Sequence, residues 1–194
     1  ELPRLITHNT KLIIINSPHN PTGSVLSATD IEQLANLTRN TDIVILSDEV
    51  YEHLIFDGLK HESICKNAEL ASRSFVVASF GKKFHATGWK MGYVLAPEKL
   101  MTEFRKAHQF IVYTVNAPIQ YAIADYLKNK KNYTSLPKFY EQKRNYFARK
   151  IKKSRFRIVP CFGTYFQLLD YQDISDKPEM EFAKELIEDY GIAS

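Results

Sequence analysis

The chain has 194 residues, of which 44% are apolar, 12% aromatic and 25% charged, and its formal net charge is +4. That length suits one ordinary domain or a piece of a larger one, and the composition excludes disordered and collagen-like chains. The mild basic excess does not argue for nucleic acid, no apolar run approaches the roughly 18–20 residues of a membrane helix, and Cys65 and Cys161 make neither a C-x-x-C motif nor a disulfide framework, so a reducing cytoplasm is the default location.

In chain order, Lys11 to Ile15 is a β-rich run, and the Pro- and Gly-containing stretch Asn16 to Gly23 reads as a loop. Ser27 is an N-cap candidate for a helix over Ala28 to Arg39, in which Ile31, Leu34, Ala35 and Thr38 recur at helical spacing. Ile43 to Leu46 and Phe75 to Ala78 are buried-strand patterns, each ending in polar residues, and Tyr93 to Leu95 is a fourth short run. Helical faces follow at Leu100, Phe104, Ala107, His108 and Ile111, at Val115, Ile119, Ala122, Ile123 and Tyr126, and across Pro137 to Lys153. Phe156 to Val159 and Tyr165 to Leu169 read as strands, and a last helix opens at Pro178 and closes at Gly191. The pattern predicts an α/β fold, a mostly parallel sheet with helices on both faces, followed by part of a small α+β domain. The boundary is placed between residues 1–110 and 111–194.

The chain lacks G-x-G-x-x-G, G-x-x-x-x-G-K-[ST] and G-x-S-x-G, and its His residues show no metal-ligand spacing. What remains is a set of polar residues just beyond apolar strands, where open α/β sheets bind ligands: Asn20 after the first, Asp48 and Tyr51 after the second, Ser79 and Lys82 after the third. Singly each has a plain structural reading. An Asp in that place caps or turns, a Tyr packs in the core, and a Lys in a Gly loop is solvated. Together they would converge on one small volume.

The segments SPHNPTG (Ser17–Gly23), SDEVYEHL (Ser47–Leu54) and SFGKKFHATGWKMGY (Ser79–Tyr93) resemble the central motifs of class I pyridoxal-phosphate-dependent aminotransferases of fold type I, and are similar to the methionine and kynurenine branch. The resemblance runs along essentially the whole chain. It implies a seven-stranded sheet, pyridoxal 5′-phosphate as cofactor, and amino-group transfer from an α-amino acid (methionine, aromatic or kynurenine-like) to a 2-oxo acid by a ping-pong mechanism. Lys82 would be the Schiff-base lysine, with Lys83 the competing candidate. Asp48 would face the pyridine nitrogen, Tyr51 and Asn20 the phenolic oxygen, and Ser79 and Lys90 the phosphate. A Lys at position 90, where many relatives have Arg, would hold phosphate as a point charge without a bidentate fork. His19 and His85 are open between a site role and a structural one.

The basic run Lys138 to Arg157, nine cations and one acid, reads as a solvated helix face because Tyr140, Phe147 and Ile151 mark an apolar stripe behind it. The resemblance further implies a cytoplasmic homodimer without nucleic-acid or membrane partners. A carbon–sulfur β-lyase of the same fold and the effector domain of a transcription regulator are the alternatives. Nothing in the chain matches the phosphate-cradling Gly loop, the ring-stacking aromatic or the carboxylate-binding arginine of such enzymes. The expectation is therefore an internal fragment, inactive alone.

Overall fold

A computed structural model describes residues 2–193. A short helix α1 (Leu2–Leu5) precedes β1 (Leu12–Asn16), α2 (Ala28–Thr38), β2 (Val44–Asp48), the single turn α3 (Ala68–Ala71), β3 (Ser74–Ser79), the single turn α4 (Phe80–Lys83) and β4 (Gly92–Leu95). Then come α5 (Glu98–Ile111), α6 (Ala117–Leu127), α7 (Lys131–Thr134), α8 (Leu136–Ile151), a ribbon of β5 (Arg157–Ile158) and β6 (Leu169–Asp170), and α9 (Glu179–Tyr190).

Local chemistry sets most of these boundaries. Ser27 and Asp30 form a reciprocal capping box at the start of α2, satisfying two of the backbone N–H groups that a helix start leaves free. Gly191 ends α9 in the left-handed conformation, φ 65°, where the missing Cβ removes the steric penalty. The main sheet has the order β1-β2-β3-β4. β1, β2 and β3 run parallel, and β4 returns antiparallel to β3. Among the described residues it has these four strands, not the seven that the family resemblance implied.

Ile13, Ile45 and Val76 from the parallel strands meet Ile31, Leu34 and Ala35 of α2 in the core, with Ile64 and Leu70 beside them. The other face is only partly covered. Phe104 of α5 packs near Phe75, ring centroids 6.2 Å apart, whereas Leu12 and Ile14 remain 48% and 66% exposed. Helices thus lie on both faces, α2 on one and α5 on the other, as expected from the apolar strands, with β1 the less covered end of the second face.

The run Tyr165 to Leu169 also departs from its expected strand; only Leu169 and Asp170 pair with β5. The preceding backbone is committed elsewhere. Phe162 N–H donates to the Gly23 carbonyl (2.8 Å), Phe56 N–H to the Phe162 carbonyl (2.9 Å) and Thr164 N–H to the Leu54 carbonyl (2.9 Å). A Cβ on Gly163 would stand 2.7 Å from the Leu54 carbonyl oxygen and 2.8 Å from Pro18 Cβ, so glycine allows this turn to press beneath the Ser17–Gly23 loop.

One cation of the basic run is not a solvated residue. Arg144 of α8, its side chain 14% exposed, donates both terminal nitrogens to Asp57 at 2.7 Å and also reaches the Cys161 carbonyl at 2.7 Å. Its guanidinium lies over the Phe56 ring, 5.0 Å from the centroid, and Asp57 N–H donates to Glu141 of the same helix at 2.7 Å. Arg144 thus ties α8, the 56–57 turn and the Cys161 turn together with a planar fork that lysine lacks. Arg144→Lys should cost about 1–2 kcal/mol, read as a lower urea midpoint; an unchanged midpoint would show that the fork is dispensable.

Candidate active site

The two-residue period of a strand assigns side chains to faces before any ligand is considered. In β2, Ile45 and Ser47 are buried in the core. Leu46 and Asp48, with Val50 beyond the strand end, line a cleft of about 580 Å³ on the other face. Ile14, Asn16, His19 and Asn20 close it on the β1 side, and Val77, Ala78, Ser79 and Lys82 on the β3 side. Five of the six residues picked from the sequence, Asn20, Asp48, Tyr51, Ser79 and Lys82, meet there. The sixth, Lys90, does not line the cleft; it is exposed, in a left-handed conformation (φ 52°) just after the Thr87–Trp89 turn.

Each side chain has a local reason for its place. Asp48 is paired with Asn16 on one side and Val77 on the other. Its carbonyl accepts from Ser17 N–H at 3.1 Å and Asn16 Nδ2 at 3.0 Å. Its Oδ1 accepts from Val50 N–H at 3.1 Å, so Asp48 is both a turn former and a cleft residue. Asn16, absent from the sequence-based site, also accepts Asn20 N–H at 2.8 Å and so sets the loop that carries Asn20. The only sequence signal for this was its position at the end of the first strand. That loop contains cis peptide bonds at Ser17–Pro18 and Asn20–Pro21.

After β3 the chain turns at once into α4. Ser79 caps the turn, its Oγ accepting from Gly81 N–H at 3.2 Å, and a Cβ on Gly81 would come within 2.9 Å of Thr87 Cα. This tight corner separates the adjacent lysines. Lys82 lines the cleft, whereas Lys83, its side chain 11% exposed, lies 3.7 Å from Glu52 and over the Tyr133 ring. Burial pushes the Lys83 ammonium below its usual range, with Glu52 pulling the other way.

Tyr51 is 2% exposed and meets Tyr165 edge-on, centroids 5.3 Å apart. Burial, then Tyr165 and the charge of Asp48, push its hydroxyl well above the ordinary tyrosine range. It stays protonated and can donate. The Tyr165 contribution could not be read from the sequence, since 114 residues separate the two rings. His19 lines the cleft and bonds Thr22 Oγ1 at 2.8 Å. His85 turns away to Tyr140, Nε2 to hydroxyl 2.6 Å, and lines a separate cavity of about 420 Å³ with Phe84 and Trp89.

A carboxylate, an amine, a protonated phenol, an amide and a hydroxyl around one cleft suit a ligand with a basic ring nitrogen, a carbonyl carbon and anionic oxygens. Pyridoxal 5′-phosphate has all three, so the donor set fits it. Among the described residues lining this cleft there is no glycine, and the helix start there is Ser79, the cap of the single-turn α4.

A doubly bounded cleft at the carboxyl ends of parallel strands, with an amine and a carboxylate facing it, is where an open α/β sheet binds ligands. The profile for aminotransferase class I and II matches residues 1–194, and the chain belongs to that family. Methionine aminotransferase of Escherichia coli (strain K12) is 40% identical over 195 residues, which is all of this chain and 50% of that protein. Kynurenine–oxoglutarate transaminase 1 of Rattus norvegicus is 31% identical over 211 residues, 99% of this chain and 50% of its own. Among solved structures, an Escherichia coli protein described as having a methionine aminotransferase function superposes with a TM-score of 0.96 at 40% identity, over 99% of this chain and 51% of that one. The N-succinyldiaminopimelate aminotransferase of Mycobacterium tuberculosis superposes with 0.94 at 35% identity, over 99% and 50%. The chain thus spans about half the length of these relatives. None of its helices, among the described residues, is long and apolar enough to cross a membrane.

Behind Asp48 sits an acid that sequence reasoning passed over. Glu49 is buried and accepts from Ser47 Oγ, Ser63 Oγ, Ile64 N–H and His61 Nε2 at 3.0, 3.1, 3.2 and 2.6 Å. Burial alone would raise its carboxyl, but His61, Ser63 and the Ile64 N–H outweigh it and hold the group below the usual glutamate range. A depressed folded-state value contributes stability that is present above the unfolded value of about 4.3 and lost as pH falls through the folded one. The chain should therefore lose stability on acidification below about pH 4.3, and Glu49→Gln should flatten that part of the stability–pH curve. Parallel curves for the two proteins would exclude Glu49 as a source.

Proposed function

We propose that the protein containing this chain transfers an amino group from an α-amino acid to a 2-oxo acid with pyridoxal 5′-phosphate, by a ping-pong cycle. The observation that carries this reading is the meeting of Lys82, Asp48, Tyr51, Asn20 and Ser79 around one cleft. When bound, the cofactor supplies an electron sink for the pair left behind when the amino acid loses its α-proton.

The chain's own residues do the rest. Lys82 would hold the cofactor aldehyde carbon through Nζ until the substrate amine displaces it, and its freed amine would then carry the proton from the substrate α-carbon. Asp48 keeps a proton on the ring nitrogen. Tyr51 donates its hydroxyl hydrogen, and Asn20 its amide hydrogen, to the phenolic oxygen. Ser79 offers a hydroxyl to the phosphate; Lys90 is retained for the same group on family resemblance alone. The relatives compared above are named aminotransferases or transaminases, which favours transfer over β-elimination. Methionine, aromatic amino acids or kynurenine are the proposed donors. A homodimer in the cytoplasm, a domain division near residue 111 and no nucleic-acid or membrane partner belong to the same proposal.

Three outcomes test it. Borohydride treatment of the full-length protein with its cofactor, followed by peptide mapping, should label Lys82, and Lys82→Ala should take no label; a label on Lys83 would remove Lys82 from its role. Asp48→Asn should lower turnover ~100-fold, because a neutral amide cannot hold the ring nitrogen protonated, and turnover within twofold of the parent would dismiss that role. The 194 residues alone should neither transaminate nor bind the cofactor tightly, since no cleft residue cradles the phosphate or forks onto a substrate carboxylate; a coupled assay showing turnover would overturn this.

A further inference from the structure

Among the described residues, Glu49 is the only charged residue that is buried, at 3% exposure, and the mechanism above gives it no task. It continues the inward row Ile45–Ser47, while its neighbour Asp48 belongs to the outward row facing the cleft. We propose that Glu49, partnered by His61, is a positioning residue for Asp48, an inference that rests on the role given to Asp48 above.

The geometry constrains the strand end from both faces. Asp48 is the last residue of β2, and the peptide that follows it is held on both sides: the Asp48 carbonyl accepts from Ser17 N–H and Asn16 Nδ2, and Glu49 N–H donates to the Val77 carbonyl at 2.9 Å. Asp48 Oδ1 takes its one side-chain contact among the described residues from Val50 N–H, the peptide just beyond Glu49. Asp48 Oδ1 keeps its bond to Val50 N–H only while the 48–50 backbone holds this turn. A rotation of that backbone would also drag the Glu49 side chain out of its four-donor pocket. A buried carboxylate stripped of its donors is strongly unfavourable, so the pocket behind the strand resists motion in front of it.

His61 is suited to hold this lock. Its Nε2 meets Glu49 Oε2 at 2.6 Å, and its Nδ1 is buried with no partner among the described residues. The ring therefore donates to the carboxylate from Nε2, and no contact competes for its orientation at the other nitrogen. Ser63 and Ile64 add two donors from the start of the Ile64–Lys66 turn, so the lock also pins the 61–64 segment to the end of β2.

The test is a double-mutant cycle on the full-length protein, read as the dissociation constant for pyridoxal 5′-phosphate. His61→Phe and Glu49→Gln are each measured in the parent and in the Asp48→Asn background. If the pair acts through Asp48, each single change weakens binding about 10-fold, and the same change made on Asp48→Asn weakens it less than about 2-fold further. His61→Gln, which keeps a donor toward Glu49, should restore most of the affinity lost in His61→Phe. Should His61→Phe fail to fold, Glu49→Gln carries the cycle, because its amide keeps the shape of the side chain. Additive losses in the two backgrounds, or parent-like affinity in both single variants, would overturn the inference while leaving the functional reading standing. Parent-like affinity in Asp48→Asn itself would also overturn the inference, since the pair would then have nothing to act through, whereas the functional reading stands or falls on the turnover of that variant.

Discussion

The candidate site depends on one register. Asn16 pairs with Asp48 and Asp48 with Val77, so three parallel strands end at nearly one level and release their chains on the same side. Parallel pairing makes that possible because all three strands point their carboxyl ends the same way. A slip of one residue between β1 and β2 would turn Asp48 into the core and present Glu49 to the cleft. The apolar inner row, Ile13, Ile45 and Val76, excludes that slip, since it would expose the core set and bury a carboxylate without its donors.

Around this level the loops are held by close approaches more than by bulk packing. Gly81 lets the chain after Lys82 double back against Thr87, and Gly163 lets the Cys161–Phe166 segment reach Leu54 and Pro18. Arg144 fastens that segment from α8. The result carries Tyr165 to Tyr51, which keeps the Tyr51 hydroxyl in a buried aromatic environment. Residues beyond 140 therefore shape a cleft whose lining comes entirely from residues 14–82. The high structural likeness to relatives of only 35–40% identity fits this economy of contacts: strand register and a few glycines tolerate wide change elsewhere.

Electrostatics sort the two lysines that adjoin in sequence. Lys83 finds Glu52, Tyr93 donates to the same carboxylate at 3.0 Å, and His53 lies 3.6 Å from it. That cluster draws one cation behind the corner and leaves the other facing the cleft. A helical turn places consecutive side chains roughly 100° apart, so the choice between them was a matter of where α4 begins, and Ser79 as its cap decides it.

Much of the secondary structure could be read from the chain itself, because its determinants are local: the Ser27 cap, the Pro178 and Gly191 ends of α9, and the apolar runs of β1, β2 and β3. The polar residues beyond those runs could also be read, since strand ends in open α/β sheets are where ligands sit. What only the tertiary structure decided involves partners far apart in sequence. Asn16 supports Asn20 by bonding Asp48, 32 residues away. Arg144 leaves an otherwise basic surface to meet Asp57, 87 residues away. Glu49 gains donors from 61–64, and Lys90 falls outside the cleft lining although its spacing from Lys82 suggested otherwise. A side chain's type is written in the sequence, but whether it is solvated, paired or aimed into a cleft depends on which distant backbone arrives beside it.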